Sequence, residues 1–184
     1  NENNDFQGAV TISEATTVTL RDSNELELNG TVQATLTATT GGKLTFGATD
    51  VGTLVLATGG DVVQSGSTVL SVAGTTTIDA GSDSIKLDTA GNDFVGTVSV
   101  ASARDVTLSD KNALDLGAIT ARGNTVINTK GVITQQTTTT TGLSINGALT
   151  LNATDPNSAN GFDITLTHEG NQIDGDVTIE LANN

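Results

Sequence analysis

One long repeat constrains this chain more than any other feature. Asn4-Asp5-Phe6-Gln7-Gly8-Ala9-Val10-Thr11-Ile12 returns as Asn92-Asp93-Phe94-Val95-Gly96-Thr97-Val98-Ser99-Val100. It returns again, altered, as Asn171-Gln172-Ile173-Asp174-Gly175-Asp176-Val177-Thr178-Ile179. The steps of 88 and 79 residues are about twice the period of common solenoid repeats, so each long unit holds several smaller turns. The match runs on: Val18 to Leu28 aligns with Val106 to Leu116, Gly74 to Ala80 with Gly147 to Ala153, and Ile85 to Leu87 with Ile164 to Leu166. The chain therefore divides into a first unit at 4–91, a second at 92–170 and the start of a third at 171–184. Together they read as one β-solenoid fragment of a longer protein. Stacked supersecondary units make a rod, in which each unit touches only its neighbours.

Short apolar–polar–apolar runs dominate both units. Val10-Thr11-Ile12, Val18-Thr19-Leu20, Leu26-Glu27-Leu28, Leu44-Thr45-Phe46 and Leu54-Val55-Leu56 are examples from the first. Alternation with period two marks strands with one buried face. No ten-residue stretch carries helical periodicity, so the expected class is all-β. Strand centres roughly eight residues apart fit either a sandwich or barrel, or a solenoid of about three short strands and 20 to 24 residues per coil. The second option predicts eight or nine coils and is favoured. Asn-Gly hairpin dipeptides are few, Asn29-Gly30 and Asn146-Gly147 among them, and the aromatics are Phe6, Phe46, Phe94 and Phe162 alone. A sandwich core lacks anchors here, whereas a solenoid core is a thin stack of aliphatic side chains.

Charge narrows the function classes. The net charge is −14, and Arg21, Lys43, Lys86, Arg104, Lys111, Arg122 and Lys130 are scattered. Nucleic-acid binding requires a clustered basic surface, and an anionic membrane would repel this chain. Cysteine is absent, which removes thiol chemistry and disulfides. No segment has the length of apolar sequence that crosses a membrane as a helix.

The motifs from Asn92 to Val100, Asp105 to Gly117, Gly131 to Gln135 and Gly74 to Ala80 resemble the repeats of filamentous-haemagglutinin-like large bacterial adhesins, exoproteins of the two-partner secretion type. The resemblance covers nearly the whole chain. It implies a right-handed parallel β-helix, an extracellular or cell-surface location, and roles in adhesion, aggregation or biofilm. It brings no catalytic residue and no cofactor. The function expected is a structural stalk segment. The first alternative is a module that itself binds a host or neighbouring-cell receptor or glycan, and the second, less favoured, is a polysaccharide-active β-helix enzyme.

Residues able to carry chemistry are few. His168 is the single histidine, in Thr167-His168-Glu169-Gly170; one histidine without cysteine makes a poor zinc site, and a solvated turn is expected. Ser65-Gly66-Ser67 reads as a turn, not a nucleophile elbow. Glycoside cleavage needs carboxylates converging on one face. Here Asp22 and Asp110 share a repeat position, as do Glu27 and Asp115, which argues for a turn role or an outward-facing position in every unit. No catalytic, cofactor or metal residue is assigned. Asp61, Asp79, Asp83, Asp88, Asp93, Asp105 and Asp110 fall in Gly- and Asn-rich turns where calcium is conceivable, with solvated acidic turns expected instead; Gly59-Gly60-Asp61 is only a fragment of a calcium nonapeptide. Asn29-Gly30-Thr31 and Asn152-Ala153-Thr154 fit the glycosylation acceptor pattern. Threonine runs at Thr37–Thr40, Thr75–Thr77 and Thr137–Thr141 suggest hydroxyl ladders of the kind ice-binding solenoids use. Such ladders need a threonine pair on every coil, and the runs come at irregular intervals, so ordinary outward threonines are expected. No binding residue is assigned; any binding would come from outward side chains or from loops such as the insertion from Asp155 to Gly161, beside Phe162, and the open strand edges at the two ends predict end-to-end association.

Overall fold

The computed structural model describes residues 4–138, 140–155 and 161–180. Among them are seventeen strands in one continuous sheet and no helix. Every pairing is parallel. The fold is a parallel β-solenoid, as the alternating runs predict.

Three long strands open it: β1 (Val10–Asp22), β2 (Leu26–Thr40) and β3 (Leu44–Thr58). Fourteen shorter ones follow, from Val62–Gln64 to Val177–Glu180. The long strands, of 13, 15 and 15 residues, correct the expectation of uniformly short strands. Each bends from one face to the next at register shifts without leaving the ladder. Gly30 makes one such corner at φ +121°, and a β-carbon there would collide with the carbonyl oxygen of Ile12. Asn29-Gly30 is thus a bend within a strand, not a hairpin.

From Val62 onward the coils show three faces. Face A stacks Leu26, Leu44, Val62, Ile85, Val106, Thr125, Leu149 and Val177 in one column. Face B carries Thr49–Val51, Leu70–Val72 and Asp93–Phe94, then Leu114–Leu116 and Ile133–Gln135. Face C carries Leu36, Leu54, Thr76 and Val98, then Ile119, Leu143 and the Ile145–Ile173 pair. The face A column makes seven turns from Leu26, and the Val10–Leu28 pair adds one more below it, which meets the lower expectation although coil length is not constant. Steps grow from 18 residues (Leu26 to Leu44) to 28 (Leu149 to Val177). With coils 4.7–4.9 Å apart, seven turns rise roughly 34 Å.

The core follows from the alternation. Inward residues of all three faces form one cluster, with Leu28, Phe46, Leu54, Ile78, Leu87, Phe94, Leu108 and Ile127 among its fully buried members. Parallel ladders satisfy the backbone while aliphatic side chains stack coil on coil.

The long repeat is out of phase with the coil. Val18 lies on face C, and four turns up that face lead through Leu36, Leu54 and Thr76 to Val98. Its repeat equivalent, Val106, comes eight residues later, on face A. The second unit behaves alike: from Val98, three turns up face C reach the strand Gln172–Ile173, and Val177 follows on face A. Accordingly Ile85–Leu87 sits on face A, whereas Ile164, its equivalent, bridges to Ile133 on face B. Most matched segments thus advance by one face per long unit, but the opening motif does not: Val10 ladders to Leu28 on face A, Val98 lies on face C and Val177 is on face A again.

Candidate functional site

The repeated aspartates have the same job in both units. Asp110 is buried and accepts the backbone N–H of Phe94, one coil below, at 2.7 Å and that of Asn112 at 2.7 Å. Asp22 accepts from Phe6 and Asn24, each at 3.2 Å. A carboxylate ending a strand can satisfy the amide two residues on and an orphan amide of the adjacent coil. The turn role is therefore met, and the outward-facing alternative is not. Burial pushes the Asp110 carboxyl above its ordinary value, against the lowering effect of its two amide hydrogen bonds. Next to it, Lys111 binds Asp93 at 2.8 Å, Asn112 adds a hydrogen bond at 3.1 Å, and the Asp93 carboxyl is held below its ordinary value. Glu27 stays exposed in β2. Asp115 accepts from Thr97, Thr134 and Gln136, tying three coils together.

The other acidic turns are built similarly. Asp61 accepts the N–H of Ser84, and Asp105 that of Asn124, each at 2.8 Å. Asn124 passes the pattern on to Ala148 at 2.9 Å. Asp79 accepts from Gly81, Asp83 lies 3.5 Å from the Ser82 hydroxyl, and Asp88 pairs with Lys86. These carboxylates occupy separate corners and serve backbone amides or neighbouring side chains. Among the described residues no three His, Cys, Asp or Glu side chains gather as metal ligands would. His168 sits in a turn, where its Nδ1 accepts the N–H of Gly170 at 2.9 Å. Ser65-Gly66-Ser67 is a turn around Gly66 at φ +59°. Asn29 and Asn152 both lie in strands and are half-buried. Phe162 packs against the core, so it is no free platform for a sugar ring, contrary to expectation. Residues 156–160 of the insertion lie outside the described residues.

Two features escaped the sequence reading. One is a pair of buried amide clasps. Gln64 and Asn92 exchange hydrogen bonds at 2.7 and 3.0 Å, and Asn92 also accepts from Leu70 N–H and donates to the Leu87 carbonyl. Gln135 and Asn171 repeat this at 2.7 and 2.9 Å, with Leu143 N–H in place of Leu70. The motif asparagines thus lock consecutive coils together. The recurrence of Gln before Leu and Asn in both units was the available signal.

The other is a threonine array on face C. Thr17 pairs with Thr35 and Thr35 with Thr53. The same ladder continues through Thr75 and Thr97, which precede the paired residues Thr76 and Val98. A second column runs Thr19, Thr37, Val55, Thr77, Ser99. The irregular sequence intervals are each one turn, since coils differ in length. The expectation of scattered threonines is corrected for this face. Thr138 and Thr140 lie outside any strand, apart from the array, and Thr139 lies outside the described residues.

Against known protein families, residues 15–45, 40–101 and 103–180 match the family model described as "Repeats of unknown function (DUF5649)". No curated protein and no solved structure matches the chain.

Proposed function

We propose that this chain, which belongs to that family of repeats, is a structural stalk segment of a secreted or cell-surface bacterial adhesin, working by mechanical reach. The observation that carries this reading is the unbroken face A column from Leu26 to Val177. An element built so that every coil is laddered to the next transmits tension along its axis through many parallel hydrogen bonds. Asp22, Asp61, Asp105 and Asp110 fit this role, since they staple corners through backbone amides. The resemblance to filamentous-haemagglutinin-like repeats supplies the cellular setting, and with it adhesion, aggregation or biofilm as the wider process. Neighbouring repeats of the same long chain are its expected partners.

Antibodies raised against the chain test the location: they should label intact producing cells or the medium, and label confined to lysed cells would refute it. A binding screen against matrix proteins and glycans tests the role. A stalk binds none of them. Saturable binding lost on deleting residues 155–161 would support the receptor- or glycan-binding alternative.

A further inference from the structure

We propose that the threonine array of face C is an ice-binding surface, whose ligand is the ordered water of a crystal face. The array has two columns and five rows: Thr17/Thr19, Thr35/Thr37, Thr53/Val55, Thr75/Thr77 and Thr97/Ser99. Eight of the ten positions are threonine, and Ser99 keeps the hydroxyl while Val55 keeps the methyl groups. Along each strand the two columns are separated by one inward residue: Val18, Leu36, Leu54, Thr76 and Val98. The rows are therefore about 4.8 Å apart and the columns about 6.6 Å apart. This two-dimensional lattice of identical small amphipathic groups is of the scale on which oxygen atoms repeat at an ice surface.

Three further observations point to water rather than to a solute. Thr97 donates to Asp115 at 2.7 Å, but the hydroxyls of Thr17, Thr19, Thr35, Thr37, Thr53, Thr75 and Thr77 have no hydrogen-bond partner among the described residues. They are held in place by the ladder yet left to bond outward. No charged residue occupies any of the ten positions, in a chain with 21 acidic and seven basic residues. A charge there would hold its own hydration shell against the lattice. Sugar recognition favours aromatic platforms, and none of the ten positions is aromatic: Phe46 and Phe94 are fully buried, Phe162 packs on the core, and Phe6, which is exposed, precedes β1. The array ends where this logic fails. Gly117, in the next coil, lies over Ser99 and Thr97 and offers neither hydroxyl nor methyl, and Asp115 brings a charge.

The test uses the whole chain, fluorescently labelled, with adsorption to a growing ice hemisphere and thermal hysteresis as readouts. The chain should coat the ice and lower the growth temperature below the melting point. Thr37→Lys, at the array's half-exposed middle, and Thr19→Lys, at an exposed position, should each lose both effects. Thr165→Lys, exposed and outside the array, should keep them. Circular dichroism of each variant separates lost binding from lost fold. Failure of the unaltered chain to adsorb overturns the proposal, as does adsorption that survives both array variants. Retention on crystalline cellulose or chitin without adsorption to ice overturns it too, and would reassign the face to a polysaccharide. None of these outcomes depends on whether the chain is a stalk.

Discussion

Gln64 and Asn92, on successive coils, face each other inside the solenoid and exchange two hydrogen bonds, at 2.7 and 3.0 Å. Asn92 is fully buried. Its side chain also joins Leu70 and Leu87, so both ends of the amide are satisfied. A buried polar group so placed costs little while paired and much when its partner is removed.

Asn92→Ala should destabilise the chain by about 3 kcal/mol, because it takes away the acceptor of the Leu70 N–H and two of the hydrogen bonds of Gln64, which keeps those to Thr68 and Thr89. Urea unfolding of Asn92→Ala, Gln64→Ala and the double variant checks this. The double variant should cost less than the sum of the singles, since the two residues share one network.

Thr76 and Thr125 should be over-polar for their places. Both hydroxyls are buried without a hydrogen-bond partner, in columns otherwise aliphatic: Leu54–Thr76–Val98 and Val106–Thr125–Leu149. Valine has nearly the same shape and no hydroxyl to desolvate. Thr76→Val and Thr125→Val should each stabilise by about 1 kcal/mol, read as a raised midpoint in thermal unfolding.

The corner at Asp93, Asp110 and Lys111 sets a pH response of two opposite signs. Lys111 lowers the Asp93 carboxyl below 3.8, so its stabilising contribution is complete above 3.8 and is lost as pH falls through its folded value. Burial raises Asp110 above 3.8, so its ionisation works against the fold as pH rises through that range. Carboxyl-carbon NMR titration should find Asp110 titrating above Asp93. Lys111→Ala should move Asp93 upward and make the stability of the chain less sensitive to acid.

Two glycines with positive φ should differ sharply. Gly30, at +121°, has no room for a β-carbon beneath Ile12, whereas Gly66, at +59°, faces open space. Gly66→Ala should cost about 1–2 kcal/mol, the left-handed penalty alone. Gly30→Ala should cost about 4 kcal/mol or more, because the backbone of two coils must part. Comparative denaturant unfolding decides it.

Fold class was legible in residues such as Leu26-Glu27-Leu28 and Ile85-Lys86-Leu87, whose alternation admits only a half-buried strand. Some inward positions were harder to read, because a polar residue fills them. Val62-Val63-Gln64 and Ile133-Thr134-Gln135 place a glutamine where the pattern demands an apolar residue, and Thr76 and Thr125 put threonine at an inward position. A buried amide or hydroxyl looks outward-facing until its partner is seen, and the partner of Gln64 lies 28 residues away. The threonine array was hidden differently. Its rows come 18 or 22 residues apart, and only the ladder shows that both intervals are one turn. The shared position of Asp22 and Asp110, by contrast, was readable as a turn or an outward-facing position and not as an active site, because a residue needed in every unit is more readily a structural one.

The mismatch between long unit and coil turns equivalent segments toward different sides of the rod: Val18 and Val106 lie on faces C and A, and Ile85 and Ile164 on faces A and B. A surface feature that recurs with the repeat is therefore shown in more than one direction, and neighbours approaching from different sides meet equivalent features.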